Sequence, residues 1–166
     1  MIPHGITDKN ERANDRKCTF RLMEIDFRMI AHGSAEWKAA VLLREDILRK
    51  PLGSYFTEEE LEAEKDHVQV AGFSKGEVLA TAVLVPEGDQ LKMQRVAVQE
   101  SLQGSGIGSG MMAFCEQYAL KAGVSRIYCH ARDSAVAFYL KNKYEEQGAY
   151  FLEDGIPHVK MVKIMR

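Results

Sequence analysis

The stretch SLQGSGIGSG, residues 101–110, places glycine at every second position: Gly104, Gly106, Gly108 and Gly110. An apolar run with helical spacing follows. Glycines before a helix leave backbone N–H groups free to hold an anion, and the helix dipole adds about half a positive charge there. The alternative reading is a flexible loop whose small residues let a helix pack closely on a sheet. Elsewhere, Tyr139, His67, His130 and the pair Glu153 and His158 around EDGIP are the groups able to move a proton. The five histidines show no H-x-H or H-x-x-x-H spacing, so no metal site is expected.

Three ligand classes use glycine turns. A P-loop needs G-x-x-x-x-G-K-[ST], but Ser109 stands five positions after Gly104 and the next lysine is Lys121. The group that would reach terminal phosphates is missing, which argues against ATP or GTP chemistry. A dinucleotide fingerprint needs G-x-G-x-x-G, but the third glycine position is Ser109 counted from Gly104 and Met111 counted from Gly106. What remains is a diphosphate held by backbone amides alone at a helix start.

QRVAVQESLQGSGIGSGMM resembles motif A of the GNAT superfamily of N-acetyltransferases, with its Q/R-x-x-G-x-G/A core at Gln103, Gly104, Ser105, Gly106, Ile107 and Gly108. RDSAVAFYLKNKY resembles the family's second motif, a helix bearing an F-Y pair. FLEDGIPHVKM is similar to the end of the ElaA-like branch. The resemblance covers about residues 67–166. It implies acetyl-coenzyme A as donor, its pyrophosphate on the amides of residues 103–109, Ser109 included. It also implies a pantetheine arm paired like an extra strand with Val96, Ala97 and Val98, which requires the fourth and fifth strands to splay apart. Lys143 stands where the family usually has glycine. Asn142 tolerates a left-handed conformation better, so the turn is expected to shift by one residue.

Acetyl transfer to an amine needs a neutral amine, a hydrogen-bond donor for the oxyanion and a proton or hydrogen bond for the thiolate. The resemblance implies a backbone N–H near Val98 for the oxyanion and Tyr139 for the thiolate, with packing at a helix edge as the alternative for Tyr139. His67, Glu153, His158 and His130 compete for the amine proton, directly or through a relayed water. The plain alternatives are a water-exposed strand end for His67 and ordinary turn chemistry for Glu153, Asp154 and His158. Arg44 either walls the acceptor pocket or is a solvated helix residue. The acidic run TEEELEAEKD, residues 57–66, either attracts a cationic acceptor or is a solvated face.

These residues need a scaffold. TFRLMEIDFRMI (19–30) reads as a first strand. SAEWKAAVLLREDILRK (34–50) reads as a helix capped by Ser34, with Trp37, Val41, Ile47 and Leu48 on one face. Thr57 and Glu60 form a capping box for a second helix. HVQVAGF (67–73), VLATAVLV (78–85) and LKMQRVAV (91–98) follow with short turns, the pattern of an antiparallel meander. A long helix over 105–122, a strand over 125–131, a helix over 134–142 and a hairpin of 148–153 with 158–164 complete the order. The fold class is α/β (α+β): a mixed, mostly antiparallel sheet with helices on both faces, splayed between the fourth and fifth strands by resemblance.

The chain has 166 residues, enough for one domain with a real core. Residues 1–17 are polar, lack the apolar stretch of a signal peptide and are expected to form a disordered extension before a single domain at 18–166. A net charge of −2 gives no footprint for nucleic acid or an anionic membrane, and no apolar run approaches membrane-spanning length. Cys18, Cys115 and Cys129 read as reduced thiols of a cytoplasmic protein. The expected activity is an N-acetyltransferase acting on a small-molecule or peptide amine, with a homodimer left open. The alternatives are a non-catalytic coenzyme A-binding or protein-interaction module of the same fold, and a nucleotide-binding regulator.

Overall fold

The alternating apolar residues between Val68 and Val98 call for strands joined by tight turns. The computed structural model, which describes residues 24–166, places them at the centre of one seven-stranded sheet. The strands are β1 (Asp26–Ile30), β2 (Val68–Ser74), β3 (Glu77–Glu87), β4 (Gln90–Val98), β5 (Arg126–Arg132), β6 (Glu145–Glu153) and β7 (Ile156–Ile164). They stand in the order β1-β2-β3-β4-β5-β7-β6. Every neighbouring pair is antiparallel except β4 with β5. The β2–β3 hairpin turns at Lys75 and Gly76 with φ of 49° and 77°, and the β6–β7 hairpin at Asp154 and Gly155 with φ of 52° and 72°. Positive φ at both central residues marks turns that match the strand twist. The expected extension over 1–17, and the part of the first strand before Glu24, lie outside the described residues.

Among the described residues, four α-helices cover the sheet: α1 (Ala35–Leu48), α2 (Glu58–Ala63), α3 (Ile107–Lys121) and α4 (Val136–Lys141). Ser34 caps α1 by accepting the Trp37 N–H at 3.1 Å, and Thr57 with Glu60 forms a capping box on α2. Pro51 opens a single 3₁₀ turn after α1. Helix α3 starts two residues later than the expected 105, because Gly104 and Gly106 both take left-handed φ, 82° and 94°. The expected helix over 134–142 is split into a 3₁₀ turn, Asp133–Ala135, followed by α4.

Helices α3 and α4 bury the larger core, with Met93, Met111, Met112, Cys115, Ile127, Tyr139 and Met161 at its centre. Helix α1 covers the opposite face over Ile30, Ala40, Ala71 and Phe73. Among the described residues, no helix is long and apolar enough to cross a membrane.

Lys143 corrects one expectation. The turn after α4 does not shift: Asn142 keeps φ of −89° and Lys143 itself takes φ of 71°. The Tyr144 N–H bonds the Tyr139 carbonyl at 3.0 Å across this turn, so tertiary packing fixes its length. A left-handed conformation costs a residue with a Cβ about 1–2 kcal/mol. Lys143 is exposed, so little packing is lost without its side chain. Lys143→Gly is therefore expected to raise Tm by about 2–4 °C, read by calorimetry. An unchanged or lower Tm would show that the turn is not strained.

Candidate active site

Strands β4 and β5 pair at only three positions, Gln90 with Arg126, Leu91 with Ile127 and Lys92 with Tyr128. Beyond them the strands diverge. The cause is visible in β4, where the register against β3 shifts between Thr81 and Val83 and Arg95 takes φ of 53°. Such a bulge puts an extra residue on one strand and turns it away from its neighbour. It also switches the faces. Leu91 and Met93 point into the α3 core before the bulge, and Val96 and Val98 do so after it. Arg95 is left on the α1 side.

Gln99 donates its N–H to the Leu79 carbonyl, so the alternation of the ladder turns the peptide groups of Val98 away from β3 and toward the gap. The Gln103 side-chain amide donates to the Val98 carbonyl there at 3.2 Å. Ala97 takes the rung opposite Thr81. Of the three residues read as an open edge, Val98 thus presents its backbone to the gap while Ala97 is engaged with β3.

The glycine stretch lies directly after this edge. The Gln103 and Ser105 N–H groups are used by the Glu100 and Leu102 carbonyls. Among the described residues, the amides of Gly104, Gly106, Ile107, Gly108 and Ser109 have no backbone acceptor. A Cβ added at Gly104 or Gly106 would meet nothing within 4 Å, whereas one at Gly108 would stand 3.0 Å from the Phe138 ring and one at Gly110 3.0 Å from Phe27. Both sequence readings therefore apply, to different glycines. Gly104 and Gly106 shape an open turn with free donors, and Gly108 and Gly110 let α3 sit close on its neighbours.

A cavity of about 490 Å³ occupies the gap. It is lined from both faces of the sheet. Met93, Val96, Cys129, Ala131, Ala135 and Tyr139 line it from the α3–α4 side. Lys92, Gln94, Arg95, His130 and Arg132 line it from the α1 side, with Glu153, Asp154 and His158 from the closing hairpin and Leu48, Arg49 and Glu60 from the α1–α2 segment. The alternation of β5 divides its residues, with Ile127, Cys129 and Ala131 on one face and Tyr128, His130 and Arg132 on the other. The Arg132 guanidinium donates to the Leu48 carbonyl at 2.9 Å and ties the end of α1 to β5 across the opening.

The sequence reading left Arg44 as a pocket wall or a solvated residue, and it is neither. It is 1% exposed, points inward from α1 and donates to Glu64 at 2.5 Å behind the wall. Arg95 donates to the other Glu64 oxygen at 3.0 Å, and Arg49 holds both Glu60 oxygens, at 3.2 and 2.5 Å. The guanidinium carbons of Arg44, Arg49 and Arg95 stand 4.6, 4.2 and 5.0 Å from the Phe56 ring centre. Burial pushes the Arg44 guanidinium below its ordinary range, and Glu64 partly offsets this. The Arg49 hydrogen bond holds the Glu60 carboxyl below the usual carboxylate range. Glu60 and Glu64 of the acidic run thus face inward, while Glu58, Glu59 and Glu62 are solvated.

Tyr139 is 5% exposed and borders the cavity, with its ring packed edge-on against Phe138 and Tyr144. Burial raises its phenol well above the ordinary tyrosine range. Glu153 stands between two histidines, with Oε2 3.4 Å from His158 Nε2 and Oε1 3.7 Å from His130 Nδ1. His158 Nδ1 is 2.7 Å from the Ile156 carbonyl. His67, half-buried at the start of β2, does not line the cavity. The structure therefore gathers Tyr139, Glu153, His158 and His130 and leaves His67 apart.

Comparison with known proteins decides the family. A family model described as an acetyltransferase (GNAT) domain matches residues 43–165. The chain belongs to the GNAT acetyltransferases. A GNAT relative, the uncharacterized N-acetyltransferase YjcF of Bacillus subtilis, is 33% identical over 138 residues, 81% of this chain and 97% of the relative. Two solved structures share the fold. Escherichia coli ElaA has a TM-score of 0.70 at 21% identity, over 84% of this chain and 99% of that one. An aminoglycoside 6'-N-acetyltransferase complexed with coenzyme A has a TM-score of 0.72 at 15% identity, over 84% and 96%.

The wall behind the cavity of this GNAT domain makes a stability prediction. Arg44→Met leaves Glu64 buried with only the partly exposed Arg95 as partner. Breaking a buried pair on one side costs about 3–5 kcal/mol. Urea unfolding of the variant should show a loss of that order, and a loss below about 1 kcal/mol would mean that Arg95 alone satisfies Glu64.

Proposed function

We propose that this chain transfers the acetyl group of acetyl-coenzyme A to a primary amine by direct attack in a ternary complex. The observation that carries the reading is the cavity lined from both faces of the sheet where β4 and β5 part, with the hairpin and the α1–α2 segment on one side and the free amides of the glycine turn following β4 directly in the chain. The coenzyme A complex of the aminoglycoside acetyltransferase supports the choice of donor.

The residues present fit this donor. Five backbone N–H groups with no protein acceptor and two glycines with open space at Cβ suit a diphosphate. The gap-facing backbone of Val98 and its neighbour Val96 suits the amide-bearing pantetheine arm. Bound there, acetyl-coenzyme A supplies an activated acetyl thioester. The Val98 N–H is the donor for the developing oxyanion. Tyr139 stays neutral across the physiological range and offers its O–H to the leaving sulfur. A thiol has an ordinary pKa near 8.5, so full proton transfer from so weak an acid is uphill, and the hydrogen bond is its main contribution. The carboxylate and imidazoles at the hairpin receive the amine proton.

Three measurements test this reading. Thiol release from acetyl-coenzyme A across a panel of small amines and peptides should show turnover; binding without turnover would favour the non-catalytic alternative. Gly106→Glu adds bulk and negative charge at the proposed diphosphate position. Wild type at a hundred times its Kd gains about 2.7 kcal/mol of stability, and the variant should lose that thermal shift. A folded variant with the wild-type shift would place the cradle elsewhere. Tyr139→Phe removes only the hydroxyl and should slow turnover by about 10²–10⁴-fold with little change in donor affinity or Tm. Near wild-type turnover would remove Tyr139 from the chemistry, and a collapsed Tm would assign it to packing.

A further inference from the structure

Three titratable side chains meet at the acceptor end of the cavity, and their contacts are not equivalent. His158 is 5% exposed and its Nδ1 is engaged with the Ile156 carbonyl, while its Nε2 faces Glu153. Both of its nitrogens face groups of the hairpin that carries it. His130 differs. Its Nδ1 is buried, has no hydrogen-bond partner and faces the free Glu153 oxygen at 3.7 Å. Its Nε2 is then the nitrogen left to the cavity that the residue lines. The ring is held in place by Phe151, edge-on at 5.0 Å, and by Tyr128 at 5.9 Å.

We infer that His130 is the residue that accepts the proton of the acceptor ammonium, through Nε2, and that Glu153 is its positioning residue. The inference rests on the proposed acetyl transfer and deepens it. The step balances. Nε2 takes one proton from R–NH₃⁺, leaving R–NH₂ to form the C–N bond as the C–S bond breaks. The second amine proton leaves the acylated nitrogen to water, the Tyr139 hydroxyl hydrogen-bonds the departing thiolate, the thiolate takes one proton back from water, and His130 returns its proton to water. A carboxylate at Nδ1 fixes the tautomer with its lone pair on Nε2 and stabilises the imidazolium once it forms. Contacts of this kind are often long before substrate binds and tighten afterwards.

The charges around His130 come from every element packed on it. Lys92 of β4 and Lys160 of β7 oppose its protonation, and Glu153 of β6 favours it. His158 faces the same carboxylate. Burial is the largest influence and, with Lys92, holds the His130 imidazole below its ordinary range, so it is a free base at neutral pH. An ammonium acceptor has an ordinary pKa near 10.4. With a base whose pKa burial holds below the ordinary histidine range, kcat/KM should be flat from neutral pH up to the amine pKa and fall on the acid side only below the depressed histidine range. Without that base the enzyme must await free amine, and kcat/KM climbs tenfold per pH unit.

The test is the pH profile of His130→Gln with an amine that wild type acetylates. The expected result is a loss of about 10²–10⁴-fold in kcat/KM at pH 7. The plateau should be replaced by the tenfold climb, with the donor-induced thermal shift unchanged. Imidazole added to His130→Ala should restore part of the rate. A second readout needs no turnover: in an NMR titration of the unliganded protein, Glu153→Gln should move the His130 pKa further down. A variant that keeps the wild-type plateau overturns the inference, as does loss of the plateau in His158→Gln alone, or a His130 titration unaffected by Glu153→Gln. Absence of thiol release by wild type with any amine overturns it together with the function on which it rests. Turnover by wild type with an intact plateau in His130→Gln overturns the inference alone.

Discussion

The site exists because two parallel strands stop pairing after three rungs. A sheet interior that opens exposes N–H and C=O groups that must find other partners. The bulge at Arg95 makes the opening, the Gln103 amide satisfies one of the freed carbonyls, and the tie from Arg132 to Leu48 spans the mouth. Everything functional is arranged around that opening. Helix α3 starts beside one end with its amides uncommitted, the β6–β7 turn stands at the other, and Tyr139 reaches in from the covered face. Closing the gap by continued pairing would satisfy more hydrogen bonds and leave no passage for a substrate.

Much of this was legible in the chain because the relevant signals are local. The alternation of β2 to β4, the Ser34 and Thr57 caps and the Asp154–Gly155 turn each depend on residues a few positions apart. The glycine stretch was legible only as a mixture. Spacing alone could not separate Gly104 and Gly106, which need left-handed φ, from Gly108 and Gly110, which make room for Phe138 and Phe27. That division depends on rings 30 and 83 residues distant in sequence. The opening itself was implied by family resemblance and not by composition.

What escaped the sequence reading is long-range and charged. Arg44 follows Val41 by three residues and precedes Leu48 by four, so it belongs to the inward face of α1. Arginine there read as solvated because its partner Glu64 lies 20 residues away in a run that looks like a surface. The face position was the available signal, since an arginine on an apolar stripe needs an inward acid. His130 and Glu153 are likewise brought together only through the β5–β7–β6 order, with β7 between them. Lys143 shows the reverse case, in which a local preference for Asn142 gives way to the fixed distance between α4 and Tyr144.

Strand β5 carries two inventories at once. Cys129 and Ala131 face the side of Tyr139, and Tyr128, His130 and Arg132 face the side of Glu153. Adjacent residues of one strand thus line opposite sides of the cavity, and their assignment rests only on whether a position is odd or even. An exchange of side chain at one of these positions alters one side of the cavity. A single inserted or deleted residue would send each later side chain of the strand to the opposite side of the cavity. The length of β5 is therefore held more tightly than any of its letters, and the lining of the cavity can vary by substitution in this strand but not by insertion or deletion.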